Sequence, residues 1–232
     1  ERGEGAFDGG ADEVVVNDSH GTMRNLLPEV LDRRAALISG SPKPLAMMAG
    51  LDDSCDAVMC VGYHGRAGTL GVLDHTIHGR VVYDIRINGK SQGELGLNAG
   101  IASHFGVPIV LVAGDTTTAA QAAELIPDVE TAAVKESLTR YSAKNMSPSA
   151  AQALIRRQAT RAFERRIKIA PTRYAMPVTL TLQVMNSGMA DIAEIIPGVN
   201  RTDPVTVEYT SDDFLEAFRC LYAMIMIAGA GG

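Results

Sequence analysis

Short apolar runs alternate with helical patterns along this chain. Three of the runs are rich in β-branched residues and cover residues 13–16, 57–62 and 108–113. A run that is apolar at nearly every position, rather than at every second one, is typical of a strand buried on both faces of a parallel sheet. The pattern therefore predicts an α/β fold, with a mostly parallel sheet flanked by helices.

The helices are predicted from the signals at their ends. Residues 117–125 form a helical pattern that Pro127 stops, and Ser147 with Pro148 suits the N-cap and first position of a longer helix running through Arg166. Beyond Pro171, the patterns predict a strand at 178–182, a helix at 189–195, a strand at 204–209 and a helix at 211–227. We therefore expect an α/β domain at residues 1–169 and a smaller C-terminal α+β unit, of βαβα order, at residues 171–232.

The start of the chain poses a topological problem. Gly9 and Gly10 suit the C-terminal end of a helix that leads into the strand at 13–16, but only residues 4–8 remain to form that helix. A parallel crossover needs about a dozen residues or more, together with a preceding strand. We therefore expect that a strand and most of a helix are missing, either before residue 1 or at a break near Gly3.

Composition and charge restrict the possible partners. The 232 residues are 46% hydrophobic and carry a formal net charge of −6, which argues against general binding to nucleic acid or to an anionic membrane. We interpret the arginines of residues 156–166 as a solvated helix face. No apolar run reaches the roughly 18 residues of a membrane span. The first residues do not resemble a signal peptide and the three cysteines lack metal-type spacing, so we expect a cytoplasmic protein.

Two histidines follow predicted strands. His20 comes shortly after the strand at 13–16, and His64 comes directly after the strand at 57–62. A single histidine in such a position is more often structural than a ligand, but the carboxyl ends of neighbouring strands converge, so the two imidazoles could share a metal site. Glu94 is equally well explained as a ligand or as an acid in the first turn of a helix. Two histidines with a carboxylate are typical of hydrolytic zinc, and His75 is the candidate general base or nucleophile.

Two alternative functions are also compatible with the sequence. The segment 114–118, at the start of a predicted helix, could hold an anion in a nucleotide-binding or anion-binding regulatory module. The chain contains neither a G-x-G-x-x-G nor a P-loop pattern, which disfavours this alternative. A serine hydrolase using Ser19 and His20 is weaker still, because neighbouring side chains at a strand end point apart.

Many separate blocks of the chain match the motifs of one known family. The blocks are Asn17-Asp18-Ser19-His20, Leu37-Ile38-Ser39-Gly40, Gly50-Leu51-Asp52-Asp53, Gly62-Tyr63-His64, Gly71-Val72 with His75, Gly93-Glu94-Leu95-Gly96-Leu97-Asn98-Ala99, Val112-Ala113-Gly114-Asp115 and Thr131-Ala132-Ala133-Val134-Lys135. Through these blocks the chain resembles the D-aminopeptidases of peptidase family M55. The order and spacing of the blocks make the resemblance specific, and it covers nearly the whole chain.

The resemblance implies a cytoplasmic, zinc-dependent aminopeptidase that removes N-terminal D-amino acids, such as D-Ala, from short peptides. It implies two Zn²⁺ ions, with metal ligands at His20, His64 and Glu94 and a catalytic histidine at His75. It also implies a ring-shaped, decamer-like homo-oligomer whose active sites face an internal channel.

The chain departs from the family pattern in one respect. The first strand of the family ends in an Asp-x-Glu-Gly motif that supplies metal ligands, and the sequence contains no such motif. This agrees with the missing strand and helix expected above. A protein that truly began at Glu1 is expected to bind one metal weakly or none, and to be inactive.

Overall fold

Three sheets organise the chain in the computed structural model, which describes residues 3–231. Glu1 and Arg2, next to the break expected near Gly3, lie outside the described residues. The strands are β1 (Val15–Asn17), β2 (Ala36–Ile38), β3 (Val58–Tyr63), β4 (Val82–Ile87), β5 (Lys90–Ser91), β6 (Ile109–Asp115), β7 (Glu130–Thr139), β8 (Ser142–Asn145), β9 (Val178–Val184), β10 (Asn200–Asp203) and β11 (Thr206–Ser211). The helices are α1 (Glu4–Asp8), α2 (Glu94–His104), α3 (Thr116–Leu125), α4 (Pro148–Glu164), α5 (Ser187–Ala193) and α6 (Phe214–Ala228).

The parallel part of the fold matches the apolar runs of the sequence. Strand β6 is buried at all its positions and lies between β3 and β7, parallel to both, while β1 pairs in parallel with β2. Helices α3 and α4 pack on β6 and β7. The predicted α/β class, with parallel strands flanked by helices, is confirmed.

A five-stranded antiparallel sheet has the order β10-β11-β9-β4-β5. It combines strands from the C-terminal quarter of the chain with β4 and β5, which lie more than 80 residues earlier. The C-terminal part has the order βαββα rather than βαβα, because β10 forms a hairpin with β11. Strand β10 is short, polar and at the sheet edge, so it lacks the apolar alternation that predicts a strand. The division into domains at residues 169–171 stays a prediction.

Two arginines of α4, and Arg165 directly after it, contact acidic side chains. Arg156 forms ion pairs with Glu4 and Asp8 of α1, at 2.5 and 2.6 Å, and so joins the two helices. Arg161 and Arg165 both approach the buried carboxylate of Glu130 at the start of β7. These arginines therefore hold α4 against α1 and the parallel sheet.

No helix within residues 3–231 is both long enough and apolar enough to cross a membrane.

Helix α2 is buried along most of its length and packs against α6. Gly100 allows a close approach there, because a Cβ atom at this position would lie 1.9 Å from Cζ of Phe214, whose side chain is almost fully buried. A glycine is therefore needed in the middle of a helix, where it otherwise costs about 1 kcal/mol relative to alanine.

Gly100→Ala is expected to lower the free energy of unfolding by about 1–3 kcal/mol, because overpacking outweighs the gain in helix propensity. Thermal unfolding measures the effect. Ser103→Ala, on the same helix, is the control and should leave the melting temperature almost unchanged. A Gly100→Ala protein as stable as the parent would show that α2 and α6 are not packed this closely.

Candidate metal centre

Three side chains converge at one end of the parallel sheet. The imidazoles of His64 and His75 and the carboxylate of Glu94 each offer a ligand atom, and these atoms lie within 4.8 Å of one another. Nε2 of His64 is 3.6 Å from Oε2 of Glu94, and Nε2 of His75 is 3.7 Å from Oε1. All three side chains are largely buried but retain some exposure, so the group lies at an accessible position.

The remaining predicted residue, His20, lies beside this group. The rings of His64 and His75 are stacked, with centroids 4.0 Å apart and planes 19° apart. The ring of His20 meets that of His75 edge-on, with centroids 6.2 Å apart. The structure thus brings all four predicted site residues together, with His75 in contact with both of the other histidines.

Three of these four residues are placed by the end of a regular element. His64 follows the last residue of β3, His20 lies three residues beyond β1, and Glu94 is the first residue of α2. Glu94 therefore fits both interpretations of its sequence context, since it is a first-turn acid and also part of the cluster. His75 differs from the others because it lies on the irregular segment between β3 and β4.

Backbone groups orient the cluster. Nδ1 of His64 lies 3.1 Å from the carbonyl oxygen of Gly65, and Nδ1 of His75 lies 2.7 Å from that of Leu73. A carbonyl only accepts hydrogen bonds, so in the neutral rings Nδ1 carries the proton and Nε2 keeps its lone pair. The amide of Ile77 donates to Oε1 of Glu94 at 2.8 Å. Both free Nε2 atoms therefore face the carboxylate.

This donor set suits a zinc ion. The Nε2–Oε distances of 3.6 and 3.7 Å are too long for hydrogen bonds. The distance between His64 and Glu94 is close to the roughly 3.3 Å that separates two ligands of a tetrahedral ion with bonds of about 2.0–2.1 Å. Histidines that bind metals usually donate their other ring nitrogen to a carbonyl or carboxylate, as His64 does here. The residues therefore fit the metal that the family resemblance implies.

The loop that carries His20 is closed by Asp18. The carboxylate accepts hydrogen bonds from Nδ2 of Asn25 at 2.9 Å and from the amide of Leu26 at 2.7 Å. Burial alone would raise the pKa of Asp18, but these hydrogen bonds outweigh it and the pKa is lowered. Nδ2 of Asn25 also donates to the carbonyl of His20 at 2.6 Å. Asp18 is therefore ionised at neutral pH and fixes the backbone around His20.

Sequence reasoning did not single out Tyr63 or Asn98. Nδ2 of Asn98 donates to the hydroxyl of Tyr63 at 2.6 Å, while its Oδ1 has no hydrogen-bond partner among residues 3–231. Burial, with the nearby charge of Glu94, raises the pKa of Tyr63, so its hydroxyl stays protonated. Asn98 lies four residues after Glu94 on α2, and that spacing is the sequence signal that places both on one helix face.

The segment proposed as an anion site is occupied by the chain's own carboxylate. Oδ1 of Asp115 accepts hydrogen bonds from the amide and the hydroxyl of Thr118, both at 2.7 Å, and so caps α3. Oδ2 accepts from the amide of Val72 at 2.7 Å. An anion at this helix start would have to displace Asp115, which disfavours the anion-binding alternative.

An α/β fold that brings imidazoles and a carboxylate together at its strand ends has the composition of a hydrolytic metalloenzyme. A family model described as D-aminopeptidase, Peptidase_M55, matches residues 3–223. The chain therefore belongs to peptidase family M55, the D-aminopeptidases. The predicted resemblance is confirmed, and with it the predicted enzyme class, an aminopeptidase.

Individual relatives agree with this assignment. A D-aminopeptidase of Bacillus subtilis (strain 168) is 40% identical over 227 residues, an alignment that covers 96% of this chain and 81% of the relative. The solved structure of the Zn-dependent D-aminopeptidase DppA from Bacillus subtilis, described as a self-compartmentalizing protease, superimposes with a TM-score of 0.94 at 39% identity. That match covers 97% of this chain and 82% of the other.

Proposed function

We propose that this protein is a zinc-dependent aminopeptidase that removes an N-terminal D-amino acid, such as D-Ala, from short peptides. The observation that carries the proposal is the convergence of His64, His75 and Glu94, with both Nε2 atoms directed at the carboxylate. The family and the Zn-dependent relative support the metal and the substrate class.

His64, Glu94 and His20 are the proposed metal ligands. His64 and Glu94 lie at the ends of β3 and α2, where the buried sheet and helix hold them rigidly. His20 meets His75 edge-on and is the proposed ligand of a second ion. A bound zinc ion supplies Lewis acidity toward the scissile carbonyl and lowers the pKa of water.

His75 is the proposed catalytic residue. Its Nδ1 is held by the carbonyl of Leu73, so Nε2 is free to accept a proton or to attack, and it lies 3.7 Å from Glu94. His75 lies on a loop, whereas His64 lies at the end of a strand. We therefore propose different roles for the two stacked imidazoles.

The assembly and location are also proposed. We infer a ring-shaped, decamer-like homo-oligomer with enclosed active sites, by analogy with the self-compartmentalizing relative. Such an enclosure would restrict substrates to short peptides. The three cysteines are free thiols, which fits a reducing cytoplasm.

The substrate proposal is tested with D-Ala and L-Ala p-nitroanilides and the zinc-loaded, full-length protein. We expect kcat/KM to be at least about 10-fold higher for the D-substrate, a difference of about 1.4 kcal/mol in transition-state binding. Acetyl-D-Ala p-nitroanilide is the matched control, and we expect no cleavage because it lacks a free amine. Equal or faster cleavage of the L-substrate would contradict the proposed preference, and cleavage of the acetylated compound would contradict an aminopeptidase.

A further inference from the structure

The loop that carries His75, residues 65–78, has little regular structure of its own. Two of its residues, Leu73 and Ile77, adopt left-handed backbone conformations with φ of 54° and 60°. Such conformations are unfavourable for residues with a side chain and persist only where surrounding contacts impose them. The contacts that impose this conformation therefore determine where the His75 ring lies.

One contact comes from the turn between β7 and β8. The carbonyl of Arg140 accepts a hydrogen bond from the amide of Leu73 at 2.8 Å. Nη1 of the same arginine lies 3.3 Å from Oδ1 of Asp74. Arg140 thus holds the two residues that directly precede His75.

Asp74 is the buried partner of this ion pair. Its side chain is 8% exposed, whereas that of Arg140 is 44% exposed. The second carboxylate oxygen of Asp74 accepts from the amide of Gly68 at 2.9 Å, so the carboxylate also links two parts of the loop that are six residues apart. A buried carboxylate that loses its cation is strongly disfavoured, and the loop must then rearrange to rehydrate it.

The contact with Arg140 is connected to the His75 ring through Leu73. Leu73 donates through its backbone N–H to the carbonyl of Arg140, and its own carbonyl accepts from Nδ1 of His75 at 2.7 Å. A shift of the Leu73 backbone would therefore move the imidazole and change the direction of Nε2. Asp115 holds Val72 from β6, so the loop remains attached to the sheet when the Arg140 contact is lost.

We propose that Arg140 is a positioning residue for the aminopeptidase reaction: its ion pair with Asp74 holds the loop so that Nε2 of His75 faces Glu94. The inference rests on the proposed catalytic role of His75. It assigns a function to the β7–β8 hairpin, whose turn lies 65 residues beyond His75 in the chain.

The test compares Arg140→Ala, Arg140→Lys and Asp74→Asn with the parent in the zinc-loaded, full-length protein. Arg140→Ala is expected to lower kcat by about 10- to 100-fold, because a displacement of about 1 Å has that effect, with KM and zinc content nearly unchanged. Arg140→Lys should recover part of the loss, since the ammonium can still pair with Asp74. Asp74→Asn should also lower kcat. The double variant Arg140→Ala with Asp74→Asn should be no slower than Arg140→Ala alone.

Arg157→Ala is the matched control, because Arg157 is an exposed arginine of α4 and its removal should leave kcat unchanged. An Arg140→Ala kcat within about 2-fold of the parent would overturn the inference. A loss of rate that only follows a loss of zinc or of folded protein would also overturn it, since the role would then be structural.

A His75→Ala background separates this inference from the proposed function. If His75→Ala keeps only a low residual rate, adding Arg140→Ala should not lower that rate further, and a further loss would overturn the positioning role. If His75→Ala is fully active, the proposed role of His75 is wrong and the positioning role falls with it. If His75→Ala is inactive and Arg140→Ala is fully active, only the positioning role is wrong.

Discussion

Replacing His75 with alanine is expected to lower kcat by about 10²- to 10⁴-fold, the range that a general acid or base contributes. The zinc content should stay at the parent level, because His64 and Glu94 remain in place at the ends of β3 and α2. Steady-state kinetics on D-Ala p-nitroanilide, together with metal analysis by mass spectrometry, measures both quantities.

His104→Ala is the control for His75→Ala. His104 lies at the other end of α2, half-exposed and 3.8 Å from Asp213, so its loss should not change the rate. Two results would contradict the role given to His75. A fully active His75→Ala variant would show that the imidazole does no chemistry, and a variant that loses zinc would show that His75 is a ligand.

Replacing His64 with alanine is expected to remove both zinc and activity. The loss of metal affinity should exceed the roughly 10- to 100-fold that follows removal of an outer hydrogen-bond partner, because a ligand itself is lost. Zinc should fall by at least one equivalent per chain, and hydrolysis of D-Ala p-nitroanilide should fall by at least about 10³-fold. Metal analysis after dialysis and steady-state kinetics measure these changes.

Zinc-binding curves distinguish His64 from His75, although the two rings are stacked and lie at similar distances from Glu94. The expected result is a weakened curve for His64→Ala and an unchanged curve for His75→Ala. A His64→Ala protein that binds zinc as tightly as the parent would refute the ligand assignment, and the reverse pattern would exchange the two roles.

The elements that the sequence predicted well are those specified by local signals. Strand β6 is an uninterrupted apolar run that is buried throughout, and Ser147 caps α4 through a hydrogen bond from the amide of Ala150. Helix α6 is likewise preceded by Asp213, whose carboxylate accepts from the amide of Leu215 at 2.7 Å. Such signals lie within a few residues of the element that they define, so a single sequence contains them.

The antiparallel sheet was not predicted because its pairing is non-local. Strand β4 pairs with β9, and no local pattern shows which distant strand completes a sheet. The same reason explains why sequence reasoning did not find the contact between Arg140 and Asp74. The polar strand β10 and the hairpin β7–β8 are stabilised by their neighbours rather than by an apolar pattern of their own.

The site was partly predictable because two of its histidines follow strand ends. His20 and His64 come after β1 and β3, and the convergence of strand ends places both rings in contact with His75. The separate roles of the four residues depended on the family resemblance. The local sequence around a histidine or a glutamate does not show whether that residue binds a metal or transfers a proton. Those roles stay predictions.

The most direct test of the central claim is to strip the full-length protein with a chelator and titrate zinc back while following D-Ala p-nitroanilide hydrolysis. The stripped protein should be inactive, and the rate should rise in proportion to bound zinc until the site is filled. Undiminished hydrolysis by the fully stripped protein would contradict a zinc-dependent reaction.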